Sequence, residues 1–154
     1  MERILQTKGK LLGVDFGDVR TGLAESDVSR LLASGVGYIS PGGIEKTAAA
    51  VADYVKEHRI SAVVVGLPVN MNGTEGPRAE RVKKFVGLLE KQISVPVATL
   101  DERLSTKEAS RYLNETNTRG AKRKQIIDTL SAQIILQAAL DRLRFLAQQT
   151  ESSG

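Results

Sequence analysis

The sequence predicts an α/β fold, a five-stranded mixed sheet flanked by helices in one domain, and three observations lead there. Three short strand-like runs come first, joined by turn-rich segments; helical and strand patterns then alternate; the last third carries helical periodicity and no strand pattern. A chain of 154 residues can bury roughly 70% of its unfolded surface in a single core. With 41% hydrophobic and 26% charged residues it has the composition of an ordinary globular domain. Residues 1–154 are therefore expected to form one domain, with a core at about 10–147 and a disordered tail at 148–154.

Leu11–Phe16 is mostly apolar and is followed by the turn-rich GDVRTG and a second run at Leu23–Ala24, the pattern of a hairpin. Tyr38 and Ile39 lie in a third short strand that ends at Ser40-Pro41-Gly42-Gly43. Ile44, Ala48, Val51 and Val55 then recur at helical spacing, which predicts an amphipathic helix ending near His58. Ala62–Gly66 is rich in β-branched residues and free of polar ones, as suits a strand covered on both faces. Ala79, Val82, Val86, Leu89 and Ile93 make another helical stripe, and Val95–Leu100 a fifth strand. Ser105 with Glu108 has the capping-box spacing for a short helix to about Leu113. Asn114–Gly120 reads as loop, and Lys122–Gln148 as one long helix.

Composition removes whole classes of chemistry. The absence of Cys excludes disulfides, thiolate metal sites and cysteine nucleophiles, and a single His, His58, makes a histidine-rich metal site or a Ser-His-Asp triad hard to build. No apolar run approaches the roughly 20 residues of a membrane span, and MERILQTKGK lacks the apolar stretch of a signal peptide, so the expected location is the cytoplasm. The net charge of +4 is unevenly placed: residues 1–77 hold 8 basic and 9 acidic side chains, residues 78–154 hold 14 and 9. Arg103, Lys107, Arg111, Arg119, Lys122, Arg123 and Lys124 face only Glu108 and Glu115 within one segment. Such a patch suits a polyanion, because neutralising phosphates releases counterions; a solvated helix surface is the plainer alternative.

Hydrolytic chemistry must then come from carboxylates. Asp15 sits between Val14 and Phe16, where an ionised side chain is costly unless it binds a cation, opens to solvent or accepts backbone hydrogen bonds from the next turn. Gly17 and Gly22 would let that turn approach a ligand closely. Asp101 and Glu102 follow the fifth strand, at the carboxyl end where α/β sheets gather ligands, and alternation sends only one of them to a given face. Asp128 shares a helical stripe with Ser131, Ala132, Ile135 and Ala139; it points inward, or it is a first-turn acid favoured by the helix dipole. Carboxylates from three segments could hold one or two magnesium or manganese ions, which activate water without a histidine base.

Four ordered motifs, LGVDFGDVRTGLA (Leu12–Ala24), VGLPVNMNGTEGPRAERVKKF (Val65–Phe85), LDERLSTKEA (Leu100–Ala109) and KRKQIIDTLSAQIILQ (Lys122–Gln137), resemble those of the YqgF or RuvX family of bacterial proteins, over residues 10–146. The resemblance implies a ribonuclease H-like fold and a hydrolase of ribosome biogenesis, a nuclease maturing the 5′ end of pre-16S rRNA; an older description is Holliday junction resolvase. It assigns Asp15, Glu102 and Asp128 as catalytic, metal-holding acids, with Mg2+ or Mn2+ as cofactor. Arg103, Lys122, Arg123 and Lys124 would hold the nucleic-acid backbone. The run Thr129-Leu130-Ser131-Ala132 departs slightly from the family pattern while keeping small side chains. The expected partner is structured RNA, or junction DNA, with the protein a monomer or weak homodimer and no membrane involved.

Competing readings follow from the same residues. Asp15-Phe16-Gly17 with Gly22 also suits the phosphate-binding turn of two-lobed ATPases, but one domain supplies one lobe, and no P-loop motif is present. A non-catalytic binding factor would need the cationic segment without the acids. Asn70–Pro77 is either a strand-to-helix connection or a loop that moves over substrate, and Arg78, Arg81, Lys83 and Lys84 beside it suit a nucleic-acid contact. His58 and the aromatics Phe16, Tyr38, Tyr54, Phe85, Tyr112 and Phe145 read as packing, and at 4% aromatic content no base-stacking platform is expected.

Overall fold

The computed structural model describes residues 1–104 and 120–152, with side chains at 1–103 and 129–149. Its elements run α1 (Glu2–Leu5), β1 (Leu11–Asp15), β2 (Thr21–Ser26), β3 (Ala33–Ile39), α2 (Ile44–Glu57), β4 (Ala62–Leu67), α3 (Pro77–Glu90), β5 (Val97–Asp101), a 3-10 turn (Glu102–Leu104) and α4 (Gly120–Ser152). The strand order is β3-β2-β1-β4-β5; β1, β2 and β3 pair antiparallel, while β1, β4 and β5 pair parallel.

Alternation along the strands divides the core into two layers. Leu12, Val14, Val63 and Val65 pack with Val51 of α2 and Phe85 and Leu89 of α3, whereas Leu11, Ala24 and Val64 pack beneath Ala132, Leu136 and Leu140 of α4. The β4 residues Ala62–Val65 have no exposed surface, as a strand covered on both sides requires. Among the described residues no helix is long and apolar enough to cross a membrane.

Local chemistry sets several boundaries. Pro77 opens α3, where its missing N–H costs nothing. That helix ends at Glu90, so Ile93 packs on the core from the following turn rather than from the helical stripe, which Phe85 joins instead. At the end of α2, Arg59 adopts a φ of 54° while Ile60 N–H bonds Val55 C=O at 3.0 Å and Arg59 N–H bonds Lys56 C=O at 3.4 Å. This is a Schellman stop with Arg where Gly is usual, sealed by contact between the buried Val55 and Ile60. The second and third strands are longer than expected, because polar and glycine residues pair as well as apolar ones. β5 begins at Val97, two residues after the expected start. The expected helix at 105–113 and loop at 114–119 lie outside the described residues; α4 starts at Gly120 and continues to Ser152, past the expected end at Gln148.

On the α2 and α3 face, Glu25 accepts hydrogen bonds from Lys10 Nζ at 2.9 Å and from the Tyr54 hydroxyl. Burial pushes the Glu25 carboxyl up, but these two bonds outweigh it and leave the group below its ordinary value. His58 stacks on Tyr54 with ring centroids 3.9 Å apart, and Phe16 stacks on Phe85 at 4.7 Å, so these aromatics do serve packing. Phe145 does not: it is 53% exposed on α4.

Candidate active site

Asp15 is the last residue of β1 and is half-buried. Its face follows from its neighbours: Val14 packs toward α2 and α3, and Gly13 lies under α4, so Asp15 belongs to the α4 face. Glu102 opens the turn after β5, half-buried. A methyl group built on Gly66 of β4 would stand 2.6 Å from Glu102 Oε1, 3.0 Å from its Cγ and 2.5 Å from Ile135 Cδ1 of α4. The Glu102 carboxylate therefore lies against Gly66 on the α4 face. Val14 pairs with Val65, so the next step of the register sets Gly66 beside Asp15. Both carboxylates thus sit at the carboxyl ends of parallel strands, on one face, with a glycine between them.

The chain chooses between the two acids after β5 by what each touches. Asp101 turns to Arg103, accepting its backbone N–H at 2.9 Å, Nε–H at 2.9 Å and Nη2–H at 2.6 Å. The Arg103 hydrogen bonds, chiefly that of its side chain, hold the Asp101 carboxyl below its ordinary value. Asp101 thus orients Arg103, whose guanidinium reaches toward the Gly73 turn. Among the described residues no three His, Cys, Asp or Glu groups cluster as a metal site. Position 128 lies in α4 one turn before Ala132 and two turns before Ile135, on the stripe that meets the sheet. The side chains of Asp128, Lys122, Arg123 and Lys124 lie outside the described residues.

What admits α4 to this face is a set of glycines. A methyl group on Gly13 would lie 2.6 Å from Leu136 Cβ and 3.0 Å from the Ala132 carbonyl oxygen, and one on Gly35 of β3 would strike Thr129 Cγ2. Sequence reading passed over Gly13, Gly35 and Gly66, although a glycine inside an apolar strand is itself a signal of close backbone approach. Gly17 is also required by the turn itself. The Arg20 carbonyl occupies the place a Cβ would take, so only glycine lets this turn close on itself.

The flanking loop is an ordered turn. Asn70 N–H bonds Thr74 C=O at 2.9 Å, Gly73 N–H bonds Asn70 C=O at 2.8 Å, and Thr74 Oγ1 bonds Asn72 Oδ1 at 2.6 Å. Of the cations beside it, Arg81 pairs with Asp18 and Lys83 with Glu75. A pocket of about 190 Å³ lies between Phe16, Gly17, Asp18, Arg78, Arg81 and Val82.

The fold is ribonuclease H-like. Thermus thermophilus RuvC, solved in complex with a Holliday junction substrate, superposes with a TM-score of 0.57 at 17% identity, covering 87% of this chain and 94% of that one. The fowlpox virus resolvase, solved with Holliday junction DNA, gives 0.54 at 10% identity, covering 87% and 98%. Sequence relatives are closer. Proteins named "Putative pre-16S rRNA nuclease" from Desulfitobacterium hafniense and Clostridioides difficile are 43% and 44% identical over 137 and 133 residues, spanning 88% and 86% of this chain and 94% of each relative. One of the same name from Ruminiclostridium cellulolyticum is 38% identical over 135 residues, 87% of this chain and 95% of its own. A family model described as "RuvX: Holliday junction resolvase" matches residues 9–142, and the chain belongs to that RuvX family.

Proposed function

We propose that this protein is a divalent-metal-dependent nuclease that processes the 5′ end of pre-16S rRNA during ribosome biogenesis in the cytoplasm. The observation that carries the reading is the pair of half-buried carboxylates, Asp15 and Glu102, brought to one face on either side of Gly66. Two carboxylates brought to one face are an arrangement that a divalent cation can bridge. Their oxygen donors, in a chain without Cys, fit magnesium or manganese. Asp15 and Glu102 would hold that ion with Asp128 as the third acid; when bound, the metal supplies activation of water and neutralises charge at the phosphate.

The chain's own residues position the rest. Packing against Gly66 and Ile135 limits the directions the Glu102 carboxylate can take. Asp101 fixes the Arg103 guanidinium, which keeps donors for a phosphate oxygen beyond those it spends on Asp101. Lys122, Arg123 and Lys124 add charge for the nucleic-acid backbone, so binding should weaken steeply with salt. Purified protein with magnesium should cut an RNA that carries the 5′ leader, and Asp15→Asn or Glu102→Gln should slow cutting by ~10²-fold or more. Equal cutting by Asp15→Asn would sink the assignment.

A second reading, resolution of four-way DNA junctions, is favoured by the description of the family model. It uses the same acids and requires two copies for paired cuts. Junction DNA left intact by a strictly monomeric protein counts against it.

A further inference from the structure

The cross-strand row that contains Asp15 continues to the edge of the sheet. Asp15 pairs with Gly22, and Gly22 pairs with Tyr38. Directly paired residues share a face, so Tyr38 stands on the Asp15 face, two strands and about 10 Å away. Gly22 sets no side chain between them. Tyr38 is 39% exposed on the edge strand β3, and the Arg20 guanidinium carbon lies 5.3 Å over its ring centroid.

A bulge produces this placement. Ala24 pairs with Gly35 and Leu23 with Gly37, which leaves Val36 as the extra residue. Without it, Gly22 would meet Gly37, and Tyr38 would pair with Thr21 on the α2 and α3 face. Bulges occur beside active sites as devices that re-aim a side chain, and here the residue re-aimed is an aromatic ring on the face that carries Asp15.

We propose that Tyr38 and Arg20 form a nucleotide-binding platform, on which an unpaired base of the substrate stacks while Arg20 draws the adjoining phosphate. The substrate class is then a single-stranded or locally unwound segment next to the cut. This deepens the nuclease reading and rests on it. A ring layered with a guanidinium accepts any base face, whereas a base inside a duplex has both faces covered by its neighbours. The separation of about 10 Å from Asp15 corresponds to about three nucleotides along one strand of duplex and to fewer along an extended strand.

The test is fluorescence anisotropy with a labelled single-stranded RNA and the same sequence folded as a blunt hairpin, in magnesium, on the Asp15→Asn background so that binding proceeds without cutting. Tyr38→Leu should weaken single-strand binding by roughly 5- to 150-fold, the range of base–aromatic stacking, and leave hairpin binding unchanged; Tyr38→Phe should bind as the parent does. No loss in Tyr38→Leu, or an equal loss on both RNAs, overturns the platform. Should Tyr38→Leu fail to fold, Tyr38→Trp decides: it should tighten single-strand binding selectively, and an unchanged or weaker affinity overturns the proposal. Cutting by the chain with Asp15 intact separates the two readings. A protein that cuts neither RNA, yet loses single-strand binding selectively in Tyr38→Leu, keeps the platform and loses the nuclease assignment. One that cuts RNA and is indifferent to Tyr38→Leu keeps the nuclease and loses the platform.

Discussion

The two faces of the sheet are closed by opposite means. Toward α2 and α3, branched and aromatic side chains fill the gap: Val14, Val63 and Val65 meet Val51, Phe85 and Leu89, and the Glu25 carboxylate is bonded to Lys10 and Tyr54. Toward α4 there is little gap to fill, since Gly13, Gly35 and Gly66 let the helix come down on the strands. The first arrangement gains stability from buried volume. The second gives up side chains, and the freed space holds the carboxylate of Glu102. One sheet thus separates a layer filled by side chains from one closed by helix approach, where the Glu102 carboxylate sits.

That separation can be tested residue by residue. Leu89→Ala should lower stability by ~2–5 kcal/mol in denaturant titrations, while cutting per folded molecule stays at the wild-type level. A parallel loss of specific activity would mean that the faces are coupled. Gly13→Ala should cost ~1–3 kcal/mol through overpacking and should also slow cutting, because the obstacle is helix backbone that must lift away from the sheet. If Gly13→Ala melts earlier but cuts normally, the glycine path is only structural.

Acid should act through the α2 and α3 face. Glu25 has a folded-state pKa below its ordinary 4.5, so its contribution is complete above that value and disappears as pH falls through the lowered one. The melting-temperature gap between wild type and Glu25→Gln, open at neutral pH, should therefore close in acid. A gap that widens below pH 4.5 would reverse the assignment. The smallest effect expected is a gain: Arg59→Gly relieves a positive φ and should stabilise by at most ~1 kcal/mol, visible as a slight rise in melting temperature.

Much of this was legible in the sequence. Apolar alternation and helical spacing located all five strands and the three long helices of the described residues, because burial itself follows those periods. Asp15 was legible as a costly charge within an apolar run, and Glu102, with Asp101, as an acid at the carboxyl end of a strand. The choice of Glu102 over Asp101 by residue contacts was not, since it depends on Arg103 turning back to Asp101. Tyr38 was read as packing; the face it takes is set by a one-residue bulge that hydropathy does not show. The glycines under α4 went unread for a related reason: they matter for what crosses them, and that partner lies about a hundred residues further along.

The position of α4 at the end of the element order bears on synthesis. Domains assemble from the amino terminus as translation proceeds at ~5–20 residues per second. The β1–β3 meander, α2, β4, α3 and β5 can meet before α4 leaves the ribosome, and until then Leu11, Ala24 and Val64, fully buried in the finished protein, lack the cover that α4 supplies. A nascent chain thus carries an adhesive strip on the face that holds Asp15 and Glu102. The arrival of α4 covers that strip, which ties protection against aggregation to one late event.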